Sequence, residues 1–257
     1  MTSGRFGPKL LTQKKRAPII MLCLSQENIE IIGESVLQDY SRHIEDCIRI
    51  PIDIESFARD YLGLAIRYEK LSERGKILGL TTYKGITLAI EHAGGSVLLS
   101  VPQDTILLDG SLKSRKMYKR MRFTVAHECA HHILSRIEEQ KTGNTARKDF
   151  SLDDPVACRG FRSSEDWNEW QANTLASVLL MPRREMVTRL NVLFSPALQA
   201  ICQDKSSSSS YTYIKKIASK FGVSNEALII RTRKLGYITK PEFERLIQIE
   251  KEVLERV

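Results

Sequence analysis

The sequence contains neither a run of about 18 apolar residues nor a pair of cysteines at C-x-x-C spacing. A helix that crosses a bilayer needs about 20 mostly apolar residues, and the longest apolar stretch near the start, APIIMLCL, is too short. The residues after it, SQENIE, contain no small-residue cleavage site, so we expect no export signal. The five cysteines are scattered and odd in number, which is typical of free thiols in a reducing compartment. These absences predict a cytoplasmic protein.

The composition is that of an ordinary globular protein with an excess of positive charge. Hydrophobic residues make up 42% of the 257 residues and charged residues 27%, which excludes a chain that is disordered throughout. The net charge of +8 favours acidic partners, although it does not identify one. The length is sufficient for one substantial core and a small additional unit.

Residues 1–48 are predicted to form a basic arm followed by one helix. Residues 1–18 are polar and basic, with two glycines and two prolines, and we interpret them as a loose arm. After Ser25, apolar residues recur every three or four positions, which is the spacing of one helical face. Farther along, SFARDYLGLAIRY predicts a short helix that Ser56 caps and Gly63 ends. The residues of the first apolar face are Ile29, Ile32, Val36, Tyr40 and Ile44.

Residues 49–204 are predicted to form the core of the protein. Between residues 77 and 108, β-branched and apolar residues alternate and glycine turns interrupt them, so we expect a small antiparallel sheet. Residues 138–164 are polar and predict a long loop. The stretch EDWNEWQANTLASVLLM predicts a helix that ends before Pro182, because a residue that precedes proline disfavours helical conformation.

Residues 205–257 are predicted to form a flexible hinge and a helical tail. The run KSSSSS at 205–210 has the composition of a hinge. Two short helices follow, the first ended by Gly222 and the second capped by Ser224, and a charged helix begins near Pro241. The second short helix, NEALIIRTRKLG, could read DNA or could pack on the core. We prefer packing, because few of its polar residues would face outward.

The stretch MRFTVAHECAHHILSRI holds three of the five histidines within six residues. His127, Glu128 and His131 form H-E-x-x-H, and residues four apart on a helix have Cβ atoms about 6 Å apart on one face, so both imidazoles can bind one ion. Glu128 then lies beside the ion, where its carboxylate can take a proton from water that Zn²⁺ activates. The motif predicts metal-assisted peptide hydrolysis. A helix with surface histidines is the competing interpretation until a third ligand is found.

Several residues are candidates for the third metal ligand. His132 would point away from His131 and is expected to be a supporting or surface residue. Glu169 lies on the predicted helix before Pro182, and Asn173, four residues later, would share its face and could hydrogen-bond a ligand histidine. Glu165, Asp166 and Cys158 remain alternatives; acidic residues at a helix N-terminus are already favoured by the helix dipole, and loop cysteines are usually inert.

The segment with the H-E-x-x-H motif and the predicted helix that carries Glu169 together resemble a known family of metallopeptidases. RFTVAHECAHHIL followed by EWQANTLASVLLMP is similar to the paired motifs of the ImmA/IrrE family, and the resemblance extends over about residues 50 to 240. It implies that His127, His131 and Glu169 bind the metal and that Glu128 is the general base. It implies zinc as the cofactor, with manganese as the alternative. The implied fold is α+β: a mostly helical, gluzincin-like core with a small antiparallel sheet and a helix-turn-helix-like tail.

The resemblance also implies a biological role. Members of the family are cytoplasmic enzymes that cleave a helix-turn-helix transcriptional repressor at one site, which relieves repression of stress or mobile-element genes. The expected partner is therefore a repressor encoded nearby. The alternative is a DNA-binding or partner-binding regulatory protein in which the metal site has only a structural role.

A basic run precedes the H-E-x-x-H motif. SLKSRKMYKRMR carries six basic residues in twelve positions, and such a run most often forms a solvated connection. The functional alternative is a contact surface for an acidic substrate segment or for a nucleic acid that triggers cleavage, because clustered cations bind phosphates. The residues that we assign to this surface are Lys113, Arg115, Lys116 and Lys119.

Overall fold

The structure is a computed structural model that describes residues 23–71, 77–92, 95–144, 164–194 and 207–255. The predicted arm at 1–18, Cys158 and the first two residues of the predicted hinge lie outside these residues. The helices are α1 (Gln26–His43), α2 (Ile54–Ser56), α3 (Tyr118–Asn144), α4 (Ser164–Leu180), α5 (Arg183–Phe194), α6 (Ser207–Phe221), α7 (Asn225–Lys234) and α8 (Lys240–Glu255). The strands are β1 (Ala65–Glu69), β2 (Gly79–Thr82), β3 (Ile86–His92), β4 (Gly95–Val101) and β5 (Thr105–Asp109).

The fold is mostly helical with few strands, which confirms the predicted α+β class. Helix α3 lies at its centre, packed against α4 and against β2 and β5. Helix α4, which packs against α3, also packs against α1. None of the helices in the described residues has an apolar stretch long enough to cross a membrane.

The sheet differs from the prediction, because it is mixed rather than purely antiparallel. Strand β5 lies in the middle, parallel to β1 and antiparallel to β2, and the order is β1-β5-β2. Strands β3 and β4 form a separate antiparallel hairpin. Alternation of apolar residues identifies strands but not the direction of their partners, and the long connection between β1 and β5 allows a parallel pair. All five residues of β5 are buried, as expected for a central strand.

The N-terminal helix begins where the sequence predicts. The Ser25 side chain caps α1 by accepting a hydrogen bond from the Asn28 amide at 3.2 Å. Helices α1 and α4 approach closely at Gly33, where an added Cβ would lie 2.4 Å from a methyl group of Val178. A larger side chain at Gly33 would therefore push these helices apart. Of the predicted apolar face, Ile29 and Tyr40 are buried, Ile32 and Val36 are half-buried and Ile44 is 36% exposed.

The second helix begins earlier than predicted. Its cap is Asp53 rather than Ser56, and the Asp53 carboxylate accepts from the Ser56 amide at 3.1 Å. The helix continues as a π-helical turn, Phe57–Tyr61, and ends before Gly63. Gly63 has a φ of +71°, a left-handed conformation that favours glycine, so it ends the helix as predicted.

Two predicted irregular segments are partly helical. Helix α3 continues to Asn144, so residues 138–144 are helix rather than loop, and α4 ends before Pro182 as predicted. Residues 207–210, predicted as hinge, form the first turn of α6. Serine has only a moderate cost in a helix, and the amphipathic sequence that follows extends the helix back over the serines.

The C-terminal helices pack on the core. Gly222 has a φ of +65° after α6, and the Ser224 side chain caps α7 by accepting from the Ala227 amide at 3.1 Å, both as predicted. The Arg231 side chain of α7 is fully buried; it binds the Glu30 carboxylate of α1 and donates to the Met181 carbonyl. These contacts favour the packing role of α7 over DNA reading.

Candidate metal centre

The H-E-x-x-H motif lies on α3, as predicted, and the apolar residues around it form a buried face of this helix. Ala126, Cys129 and Ala130 are fully buried, and Ile133 is nearly so. Small side chains here let α3 approach α4 and the sheet closely. His127 and His131 lie on the opposite face of α3 and line a pocket. Their side chains are 16% and 23% exposed.

Three donor groups converge in that pocket. The two Nε2 atoms of His127 and His131 are 3.0 Å apart, and each lies 3.2 Å from a different carboxylate oxygen of Glu169 on α4. Within the described residues, these side chains form the one His, Cys, Asp and Glu cluster with metal-ligand spacing. The structure thus brings together the three side chains that the sequence nominated.

The spacing of these donors fits a single small cation. A tetrahedral zinc ion with bonds of 2.0 to 2.1 Å has ligand atoms about 3.3 Å apart, close to the three observed separations. Burial lowers the pKa of His131, with the charge of His127 acting in the same direction. A low pKa favours the neutral imidazole, which is the form that binds a metal.

Asn173 holds His127 in the orientation that a ligand requires. The Nδ1–H of His127 donates to the Asn173 Oδ1 at 3.1 Å, which leaves the lone pair of Nε2 directed toward His131 and Glu169. Such a hydrogen bond to the outer nitrogen is usual for metal-binding histidines. Asn173 lies one turn after Glu169 on α4, so one helix supplies both groups.

Glu128 lies beside the three donors and faces strand β2. Its Oε2 accepts a 2.8 Å hydrogen bond from the Thr81 hydroxyl. Its Oε1 would lie 2.6 Å from a Cβ added at Gly79, so glycine leaves space for the carboxylate. Burial raises the pKa of Glu128 to about 7; the Thr81 hydrogen bond opposes the rise and the charge of Glu169 adds to it. Thr81 and Gly79 could not be identified from the sequence, because only the fold brings β2 against α3.

Two other ligand candidates, His132 and Asp166, do not belong to the donor cluster. His132 is 5% exposed rather than a surface residue, and its ring lies parallel to that of Tyr83 at 6.4 Å between centroids. Asp166 is exposed and does not belong to the cluster. The side chain of Glu165 and all of Cys158 lie outside the described part of the chain.

The pocket that contains the donor groups is open to solvent. Its volume is about 680 Å³. It is lined by β2, by the residues that flank this strand in the sequence, and by one face each of α3 and α4. Strand β2 lies at the edge of its sheet, beside the donor groups. Lining residues that the sequence analysis did not nominate include Ile77, Leu80, Thr81, Tyr83, Phe123 and Thr124.

The basic run lies on the surface before α3. The side chains of Lys113, Arg115, Lys116 and Lys119 are all exposed, and none lies within 4 Å of a carboxylate of the described residues. The amine of Lys113 lies 5.2 Å from the ring centre of Tyr68. None of the four lines the pocket. The structure therefore places these four residues apart from the donor cluster.

Residues 111–233, just under half of the chain, match the peptidase M78 family, described as the IrrE N-terminal-like domain. The chain carries an IrrE N-terminal-like domain. No curated protein sequence matches the chain significantly. The match confirms the resemblance to the ImmA/IrrE family that the two motif helices indicated, and it identifies a metallopeptidase-like domain.

The IrrE N-terminal-like domain includes the whole donor cluster and excludes part of the fold that surrounds it. It begins in the basic run, contains α3 to α6 and ends within α7. Helix α1, all five strands and α8 lie outside the matched segment. Thr81, which bonds Glu128, and Glu30, which bonds Arg231, therefore come from outside this domain.

Proposed function

We propose that this protein is a metal-dependent endopeptidase that cleaves a protein substrate at one site. The observation that carries the proposal is the convergence of two imidazole nitrogens and one carboxylate beside Glu128, in an open pocket. The IrrE N-terminal-like domain supports the same chemistry. In this proposal His127, His131 and Glu169 hold the cation, Glu128 transfers the proton and Asn173 orients His127.

The donor set is best suited to zinc, with manganese as the alternative. Two imidazoles and one carboxylate are a common ligand set of catalytic zinc, and the atom separations fit that ion. A bound divalent cation supplies Lewis-acid chemistry, because it polarises water and the carbonyl of the bond to be cut. Glu169 is 57% exposed, so the donor cluster is accessible from the pocket.

Glu128 acts as the general base and then as the general acid. Its carboxylate takes a proton from the attacking water and delivers it to the amine that leaves, so the carboxylate is regenerated after each cycle. A pKa of about 7 suits both steps, because such a group both accepts and releases a proton readily near neutral pH. The Thr81 hydroxyl holds the carboxylate in place while it does so.

The substrate that we propose is a helix-turn-helix transcriptional repressor encoded nearby. Its cleavage would relieve repression of stress or mobile-element genes, in keeping with the family resemblance. We place the reaction in the cytoplasm, in keeping with the family resemblance and with the odd number and scattered positions of the five cysteines. This proposal concerns one specific substrate, so inactivity on casein would not count against it.

The test is incubation of the protein with the repressor-like product of a neighbouring gene, followed by intact mass measurement. We expect two fragments whose masses sum to that of the repressor plus one water, and none when a chelator is present. Glu128→Gln should retain the metal and lose cleavage, whereas Glu139→Gln, an exposed glutamate on the same helix, should cleave normally. If Glu128→Gln kept the biological effect, the alternative of a binding regulator with a structural metal site would be correct.

We further propose that the basic run contacts an acidic substrate segment or a nucleic-acid trigger. Four exposed cations without a carboxylate within 4 Å among the described residues retain their charge for a partner. Neutralising Lys113, Arg115, Lys116 and Lys119 should weaken repressor or DNA binding and reduce the dependence of that binding on salt. Equal binding of the altered and unaltered proteins at low and high salt would contradict the proposal.

A further inference from the structure

Hydrolysis of a peptide bond places negative charge on the carbonyl oxygen. A hydrogen-bond donor fixed near that oxygen lowers the barrier, because the donor interacts more strongly with the oxyanion than with the neutral carbonyl. An enzyme of the kind proposed above therefore needs a side-chain or backbone donor that faces the pocket. The inference that follows rests on the proposed function and assigns that donor.

The described side chains that line the pocket include few donors that are free to serve. They include no lysine and no arginine, and their histidines are the two metal-ligand candidates. The Thr81 hydroxyl donates to Glu128, and the Thr124 hydroxyl donates to the Arg120 carbonyl at 3.0 Å. The Asn173 oxygen accepts from His127, on the ligand side of the pocket, and the NH2 group of this amide is the other side-chain donor. The phenol of Tyr83 is the hydroxyl that remains.

Tyr83 is accessible from the pocket and lies beside a buried ring. It follows directly after β2, the strand that positions Glu128, and it is 42% exposed at the edge of the pocket, so a bound polypeptide can reach it. Behind it lies the ring of His132, which is parallel to the phenol ring within 8° and is itself buried. A ring that is supported on one face loses little freedom when it binds substrate.

We propose that the Tyr83 hydroxyl donates a hydrogen bond to the carbonyl oxygen of the bond that is cut, as that oxygen becomes negative. The phenol keeps its proton throughout, so the hydrogen bond forms with the oxyanion and relaxes when the intermediate collapses. The proton that reaches the leaving amine comes from Glu128. Tyr83 is thus a catalytic residue on the strand side of the pocket, with His132 as the residue that positions it.

The electrostatic surroundings keep this phenol protonated. Burial raises the pKa of Tyr83 above its ordinary value, and the charges of Glu128 and Glu169 raise it further. A phenol with a raised pKa remains a donor at every pH at which a cytoplasmic protein works. The same raised pKa makes Tyr83 a poor proton donor to the leaving amine, which leaves that step to Glu128.

The test is the rate of repressor cleavage by the full-length, zinc-loaded Tyr83→Phe protein. This change removes only the hydroxyl and keeps the ring that lies against His132. We expect kcat to fall by about a hundredfold, which is typical for loss of one oxyanion donor, while KM changes little. Tyr213→Phe is the matched control, because Tyr213 is a similarly exposed tyrosine, 39% exposed, on α6.

A second measurement separates this role from a structural one. A phosphinic peptide that reproduces the mapped cleavage site carries a tetrahedral, oxyanion-like group, and Tyr83→Phe should bind it about a hundredfold more weakly. Zinc affinity should be the same in both proteins. Unaltered kcat or unaltered phosphinic-peptide binding in Tyr83→Phe would overturn the assignment of Tyr83 while leaving the proposed function in place. Absence of cleavage by the unaltered protein would overturn both.

Discussion

At the scale of single residues, the environment of Glu128 is the most informative feature. The carboxylate is 6% exposed and has its oxygens directed at β2, one toward the Thr81 hydroxyl and the other toward the space left by Gly79. A buried carboxylate without a partner would rotate or remain protonated. The Thr81 hydroxyl therefore fixes the orientation of the base that we propose.

Replacing Thr81 tests this orientation. Thr81→Val keeps the size of the side chain and removes the hydrogen bond to Glu128. A hydrogen bond to a charged group contributes about 1.5 to 3 kcal/mol, so we expect kcat for repressor cleavage to fall at least about tenfold. Thr81→Ser should restore most of the rate, and both variants should bind zinc as tightly as the unaltered protein. A Val variant that cleaves normally would show that the hydroxyl does not position Glu128.

Asn173 should control the affinity for metal rather than the chemical step. Its Oδ1 accepts from His127 and sets which nitrogen of that ring faces the donor cluster. Asn173→Ala removes this contact, and loss of such outer contacts typically weakens metal binding by about 10- to 100-fold. Titration of the metal-free protein with zinc measures the effect. Asn168→Ala, an exposed asparagine on the same helix, is the control and should bind zinc normally.

At the scale of elements, a buried ion pair joins α7 to α1 and should contribute to stability. Arg231 is fully buried and binds both oxygens of Glu30, and it also donates to the carbonyl of Met181, the residue that follows α4. Arg231→Ala would leave the Glu30 charge buried without a partner. We expect a loss of about 3 to 5 kcal/mol in the free energy of unfolding, measured by urea denaturation.

A surface arginine on α1 provides the comparison for Arg231. Arg42 lies 4.0 Å from Asp39 with both side chains mostly exposed, and such pairs contribute about 1 kcal/mol or less. Arg42→Ala should therefore have little effect on the unfolding transition. Similar losses for the two variants would mean that the buried pair is no more important than an exposed one.

Most helices could be predicted from the sequence, whereas their irregular ends could not. The Ser25 and Ser224 caps and the stop before Pro182 depend on local chemistry, which the sequence displays directly. Asp53 was missed because Ser56, three residues later, has the same capping chemistry, and Asp53 in fact binds the Ser56 amide. The serine run at 207–210 was misassigned because its composition is equally that of a linker and of an exposed helical turn.

The pairing of strands could not be predicted, because it depends on contacts between distant parts of the chain. The alternation between residues 77 and 108 identified strands but gave no sign that β5 would pair with β1 in parallel. The same limit applies to the donor cluster. The spacing of the motif predicted that His127 and His131 share an ion, and the position of Glu169 on a helix with Asn173, together with the family resemblance, nominated Glu169. Thr81 and Tyr83 could be identified only from the packing of β2 against α3.

At the scale of the whole molecule, the cation that we propose should couple to folding. A ligand that binds only the folded state stabilises it by about 2.7 kcal/mol at 100 times its dissociation constant. In a protein of this size that corresponds to a rise of several degrees in Tm. We expect zinc to raise the Tm of the metal-free protein, and chelator to reverse the rise, as measured by calorimetry.

Two histidine variants make the measurement specific. His127→Ala removes one of the three donors and should abolish most of the rise in Tm. His43→Ala changes an exposed histidine at the end of α1 and should leave the rise intact. An equal rise in all three proteins would place zinc binding somewhere other than the donor cluster.

Helix α1 and the sheet lie outside the matched segment yet contribute to its interior, and this limits how the protein can be shortened. A fragment of residues 111–233 would lack Glu30, so the Arg231 guanidinium would have no counter-charge. It would also lack β2 and β5, which would expose one face of α3 to water. We therefore expect such a fragment to be insoluble or only loosely folded when it is produced alone, and a useful expression boundary lies upstream of Leu24.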